Sequence, residues 1–344
     1  MKEQRSQVKT NFLKKIFIKI CRSIGYEIID QNNLYFPTLN KFGDENVSEI
    51  GKRSISLPLG EVKITRRVKN LDIIVKTCTS VNLVSQTKDR IFGKNKSEYT
   101  FRSINSIIKS INLAKKLMPN ILFKIFVIDH NSGVNDLEII KKKLLNSEIS
   151  FKIINLNLNE FENKIKKYNF KKEKVGENMF STMASIYKSF LLAKDNSADL
   201  VYFVEDDYIH QIEAISEMLF TYERIVSQMK NDLIICPIDY PFLYNKVDKT
   251  EIYLGNKRHW RATEESLLTF MISKELIEKY WKSFEDMCQF ENSPFEKNLH
   301  KIYKNELCLS PIPSLAMHCT NINSVFGISP NFEWKKVWEE NKDL

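Results

Sequence analysis

Glycine and proline are scarce, at nine each in 344 residues. That excludes collagen-like and proline-rich architectures. No two glycines stand in a GxGxxG pattern and no GxxxxGK[ST] occurs. The dinucleotide-binding turn of oxidoreductases and the P-loop of NTPases are therefore not expected. The six cysteines (Cys21, Cys78, Cys236, Cys288, Cys308, Cys319) include no CxxC. Zinc-ribbon and disulfide frameworks are excluded, and free thiols in a reducing, cytoplasmic compartment are expected. No run of 18 apolar residues is present, so no transmembrane helix is expected. The stretch Phe12–Ile20 is interrupted by Lys14, Lys15 and Lys19 and lacks a small-residue cleavage site, so no secretory leader is expected either.

What remains is an ordinary core-forming composition, 43% hydrophobic and 11% aromatic, enough for one large α/β domain with additions. The net charge of +9 is unevenly placed: residues 1–70 hold 14 Lys+Arg against 7 Asp+Glu, leaving the other 274 residues at +2. A nearly neutral body does not offer the clustered cations that track phosphates, so nucleic acid is not expected as a partner. The basic appendage is a separate matter. Within residues 10–25, Phe12, Leu13, Ile16, Ile20 and Ile24 fall near one helical face, with Lys14, Lys15 and Arg22 mostly off it and Gly25 as the stop. Such a helix suits an anionic membrane surface, which would make the protein peripheral at the inner face of a membrane. Docking on its own domain or on a second subunit of a homo-oligomer is the alternative.

Residues 1–68 read as an N-terminal extension, with edge strands at 54–59 and 61–64. The body, 69–330, alternates strand and helix, and 331–344 reads as a tail. Strands are expected at 71–77, 121–128, 151–154, 200–204, 233–236 and 267–272. Helices are expected at about 99–118, 135–145, 179–193, 211–229 and 274–287. Residues 157–175, charged and lysine-rich, read as a mobile loop or a frayed helix. Alternation of this kind predicts a mostly parallel sheet flanked by helices, with right-handed crossovers.

The pivotal stretch is Leu200-Val201-Tyr202-Phe203-Val204-Glu205-Asp206-Asp207-Tyr208. Its continuous apolar run suits a strand buried on both faces, and the acids fall where open α/β sheets bind ligands. Adjacent carboxylates repel and stay ionised cheaply only in water or around a cation, so a hard divalent ion fits them. A solvated turn before a helix N-terminus would account for them equally. Thr77 and Asp129 end the first two strands and converge on the same edge.

These features together resemble a nucleotide-sugar glycosyltransferase of the GT-A type, over about residues 70–320. The resemblance implies a Rossmann-like α/β fold with an acidic "DXD" turn, here Glu205-Asp206-Asp207. It implies Mn²⁺ or Mg²⁺ held by Asp207 and Glu205, with His318 of Pro313-Ser314-Leu315-Ala316-Met317-His318 completing the shell. Asp206 would bond the ribose or the metal, and Thr77 and Asp129 the nucleotide. Arg258 and Arg261, with Lys257, are candidates for the diphosphate. An inverting enzyme needs a general base: Glu264 or Glu265 is preferred, with Asp239 as competitor, and Trp260 is a candidate to stack on the acceptor sugar. The implied partners are a nucleotide-sugar donor and a glycan, lipid-linked or other hydroxyl acceptor. A nucleotidyltransferase and a non-catalytic binding module are the alternatives. The absence of glycine in 77–86 counts against the former.

Overall fold

The computed structural model describes residues 12–26, 63–80, 90–169, 171–245, 247, 249–291 and 296–342. The chain divides into Met1–Val62 and Lys63–Leu344. From the first part, the helix α1 (Phe12–Ser23) is described. The edge strands expected at 54–64 fall outside the described residues up to Val62.

The second part opens with β1 (Asn70–Thr77) and α2 (Lys96–Leu117), then β2 (Leu122–Asp129), α3 (Val134–Asn146), β3 (Ser150–Asn155) and α4 (Glu177–Asn196). The acidic stretch forms β4 (Leu200–Glu205) and, after a two-residue turn, β5 (Tyr208–His210). Next come α5 (Ala214–Met229), β6 (Ile234–Ile235), the hairpin β7 (Ile252–Leu254) and β8 (His259–Ala262), and β9 (Phe270–Ser273). The chain continues through α6 (Lys274–Lys279), α7 (Trp281–Gln289), α8 (Lys297–Tyr303), β10 (Cys308–Ile312), β11 (Ala316–His318) and α9 (Trp334–Glu340).

Nine strands join one sheet in the order β3-β2-β1-β4-β9-β6-β10-β8-β7. Pairings β3-β2, β2-β1, β1-β4 and β6-β10 are parallel, and β9 and β8 run against their neighbours. This is the mostly parallel α/β sheet that the alternation predicts. β1 and β4 lie in its middle with helices on both faces, so they are buried almost throughout and need apolar side chains at successive positions. A second, two-stranded sheet pairs β5 with β11. The six cysteines are free thiols, as expected.

Three stretches differ from the sequence reading. Residues 65–69, assigned mostly to the extension, are strapped to the body: Thr65 and Arg66 donate backbone N–H to Ser227 Oγ, and Val68 N–H donates to Glu223 at 2.8 Å. Residues 157–175 are pinned rather than free, because Phe161, Ile165 and Val175 are buried in the core beside α4. Residues 331–342, read as part of a tail, carry α9. Trp338 stacks on Phe92 at 4.0 Å between ring centres, and the Arg102 guanidinium lies 4.0 Å over its ring. The aromatic pair buries α9 against α2, where Asn105 also bonds the Asn341 carbonyl at 3.1 Å.

Candidate functional site

The chain runs from β1 to β2 to β3 in one direction and then returns to place β4 on the other side of β1. At such a switch point the connections diverge above the carboxyl ends of two neighbouring strands and leave a crevice. Register decides what lines it. Lys76 of β1 lies opposite Glu205 of β4, and Thr77 lies opposite Asp129 of β2.

Each acid of the turn meets a different cation. The Lys76 ammonium lies 3.3 Å from Glu205 Oε1. Asp206 turns toward α2, where it pairs with the buried Lys96 ammonium and accepts from Thr100 Oγ1 at 2.8 Å. The Cys78 N–H also reaches it at 3.3 Å. Asp207 turns the other way. Its Oδ2 lies 3.0 Å from Arg90 Nη1 and 3.6 Å from His318 Nε2. Repulsion among the three carboxylates is thus relieved largely by protein cations from three separate segments.

His318 reaches Asp207 because β11 pairs antiparallel with β5, setting His318 opposite Tyr208. Its ring stacks on Tyr208 at 4.7 Å. Its Nδ1 faces the Phe326 carbonyl at 2.9 Å, so Nδ1 carries the proton and donates. Nε2 is left to face the carboxylate. Burial disfavours the charged form of both partners. His318, Lys96 and Arg90 nonetheless hold the Asp207 carboxyl well below its ordinary range. Burial likewise opposes the charged imidazole, but Asp207 first and then Glu205 outweigh it and raise the His318 pKa.

Among the described residues no three His, Cys, Asp or Glu side chains converge as a metal cage. Asp207 and His318 form a convergent pair, and Glu205 is engaged by Lys76. This donor set fits a cation such as Mn²⁺ or Mg²⁺, which commonly takes one or two protein ligands and fills the rest of its shell with phosphates and water. The Nδ1–H···O=C bond of His318 is the outer contact that orients ligating imidazoles. Arg90 adds a second feature. Among the described residues its Nε and Nη1 are buried without a hydrogen-bond partner, so its contact with Asp207 is an unaligned ion pair.

The other predicted residues scatter. Thr77 and Asp129 do reach the edge, but they bond each other: Thr77 Oγ1 donates to Asp129 at 2.6 Å, with both buried. Arg258 sits in the β7–β8 turn and staples loops. Its guanidinium donates to the Pro313 carbonyl, Gln211 and Glu213 at 2.6–2.8 Å. The backbone N–H groups of Lys257 and Arg258 converge on the buried Glu217. Trp260 is a correction: it is fully buried on β8 in the main core, so an acceptor sugar cannot stack on it. The side chain is large and apolar, and the alternation of β8 turns it inward.

Arg261 pairs at 3.2 Å with Asp239, whose carboxylate also accepts from the Tyr244 hydroxyl. Burial raises the Asp239 pKa, against the pull of Tyr244 and Arg261. The next residue, Tyr240, bonds the Tyr208 hydroxyl at 2.9 Å. Glu264 and Glu265 are exposed on the loop after β8. The residue of that loop that reaches the acidic turn is Thr269, which accepts the Glu205 N–H at 3.1 Å.

Sequence reasoning missed Lys76, Arg90, Lys96 and Glu296. Burial, helped by the field of Glu205, pushes the Glu296 pKa up to about 7, while a backbone hydrogen bond of its own residue, Lys76 and His318 pull it back. Lys76 was accessible in principle as the lone cation in an apolar strand. Arg90, Lys96 and Glu296 carry no local signal.

No family model and no curated protein sequence matches the chain. Solved structures of glycosyltransferases do match it. S. aureus TarS is 13% identical with a TM-score of 0.34, over 61% of this chain and 29% of that one. The galactosyltransferase LgtC, solved with donor and acceptor sugar analogues, is 10% identical with a TM-score of 0.31, over 67% and 70%. Mouse xyloside xylosyltransferase 1 is 10% identical with a TM-score of 0.37, over 68% and 76%. The chain thus spans less than a third of the TarS length. At these TM-scores the likeness carries no argument about activity, which rests on the residues at the switch point.

Proposed function

We propose that the protein is a metal-dependent glycosyltransferase that moves a sugar from a nucleoside-diphosphate sugar to an acceptor hydroxyl. The observation that supports this most is the Asp207–His318 pair at the β1/β4 switch point, with His318 oriented through its far nitrogen. Asp207 and His318 would hold Mn²⁺ or Mg²⁺ against the diphosphate, with Glu205 beside them. That ion would neutralise charge on the leaving nucleoside diphosphate. Arg90 is set to exchange the Asp207 carboxylate for a phosphate oxygen, which satisfies the donors it leaves unaligned. Lys76 can do the same from Glu205. Asp239, beside Arg261 and with its pKa raised by burial, is a stronger choice for an acceptor-side base than the exposed Glu264 or Glu265.

The test is a panel of nucleotide-sugars with and without Mn²⁺, read by thermal shift and by nucleoside-diphosphate release. One donor should stabilise the protein and be turned over only with the metal, and EDTA should abolish both effects. A second reading has its own support. Since every acid of the turn already has a protein cation, the domain could bind a nucleotide-sugar or glycan without metal or turnover. EDTA-resistant binding with no release would establish it. No binding by any donor would remove both readings.

A further inference from the structure

We infer that α1 is an in-plane docking surface for an anionic lipid bilayer. Phe12, Leu13, Ile16, Phe17, Ile20 and Ile24 are all between 41% and 74% exposed. At 100° per residue Phe12, Leu13, Ile16, Phe17 and Ile20 fall on one side of the helix, with Ile24 just past its end, and Lys14, Lys15, Lys19 and Arg22 fall on the other together with Ile18. Between Gln4 and Tyr26 the sequence holds six basic residues and no acidic one.

Length and charge together choose the occupant. A helix of 12 residues is about 18 Å long, too short for the roughly 30 Å hydrocarbon core, so it cannot cross. Among the described residues no helix is long and apolar enough to span a membrane. A short helix with an apolar side and an opposite side that carries four cations, no acid and one apolar residue, Ile18, matches a bilayer interface, where acyl chains take the first side and anionic headgroups the second. Isolated helices of this length are marginal in water, so the surface that accepts the apolar face also stabilises the helix. A second copy could cover the apolar face, but it would bring another cationic strip rather than a complement. The inference does not depend on the transferase reading.

The test uses the full chain with two vesicles: equal parts phosphatidylglycerol and phosphatidylcholine, and phosphatidylcholine alone. Co-sedimentation is expected with the first at least roughly tenfold more strongly than with the second, weakening steeply with salt. Phe17→Ser with Ile20→Ser, and separately Lys15→Glu with Lys19→Glu, should each reduce it at least tenfold. The thermal unfolding of the 63–344 body should not change. Equal binding to both vesicles, binding to neither, or full binding by the charge-reversed variant would overturn the inference. So would a solution dimer that Phe17→Ser dissociates.

Discussion

Asp206 and Asp207 are neighbours in sequence, yet they face opposite environments. The Asp206 flank is closed: a buried lysine and a threonine hydroxyl from α2 and the backbone N–H of Cys78, just after β1, satisfy the carboxylate. The Asp207 flank is unsettled. Its partners are an imidazole at 3.6 Å and an arginine held without hydrogen-bond alignment. Closed networks of buried charge hold structures together. Partners held at a distance can be exchanged for a ligand. One turn therefore sets an acid in a closed network beside an acid whose partners are open to exchange.

The sharpest way to break this comparison is on the Asp207 flank. Asp207→Asn should abolish turnover of a metal-dependent donor, by about a hundredfold or more, with unfolding unchanged within about 1 kcal/mol. Retained turnover would remove Asp207 from the chemistry. Asp206→Ala should do the reverse and cost about 3–5 kcal/mol of stability, because it strands the Lys96 ammonium. Denaturant unfolding measures this, and Lys96→Met with Asp206→Leu should recover most of the loss. Full stability in Asp206→Ala would show that the flank is not structural.

His318→Gln should weaken Mn²⁺ binding about ten- to a hundredfold, as titration calorimetry would show. The same pair predicts a stability window. The Asp207 pKa is depressed, so its contribution is full above its ordinary value of 3.8 and is lost as pH falls through the lower folded value. The His318 pKa is raised, so its contribution is full below 6.5 and is lost as pH rises through the higher folded value. Wild type should therefore exceed His318→Gln most between about pH 4 and 6.5. A constant difference across pH would dissolve the pair. The smallest effect is expected at Glu296. Its raised pKa contributes stability below its ordinary value of 4.5 that is lost as pH rises through about 7. Glu296→Gln should remove that slope, and an unchanged slope would refute the shift.

Much of the fold was legible because its signals are local. Continuous apolar runs of strand length mark β1 and β4, and helical periodicity marks α2, α4 and α5. The docked 157–175 segment and α9 were missed for a common reason. Each is held by one to three aromatic or aliphatic anchors, Phe161 or Trp338 among them, set in a polar sequence. Trp260 shows the limit for a single residue: an aromatic beside arginines can face a ligand or the core, and only its strand's orientation tells which.

For the site, sequence alone determined that acids end a buried strand and that His318 follows a late proline-rich segment. Strand termini and composition are local properties, and local properties are written in order along the chain. Tertiary structure decided which acid meets which cation. Lys76, Arg90, Lys96 and His318 come from β1, a loop, α2 and β11, and their convergence depends on register and crossover. A one-residue slip in β4 would turn each of its side chains to the opposite face of the sheet and take Glu205 away from Lys76.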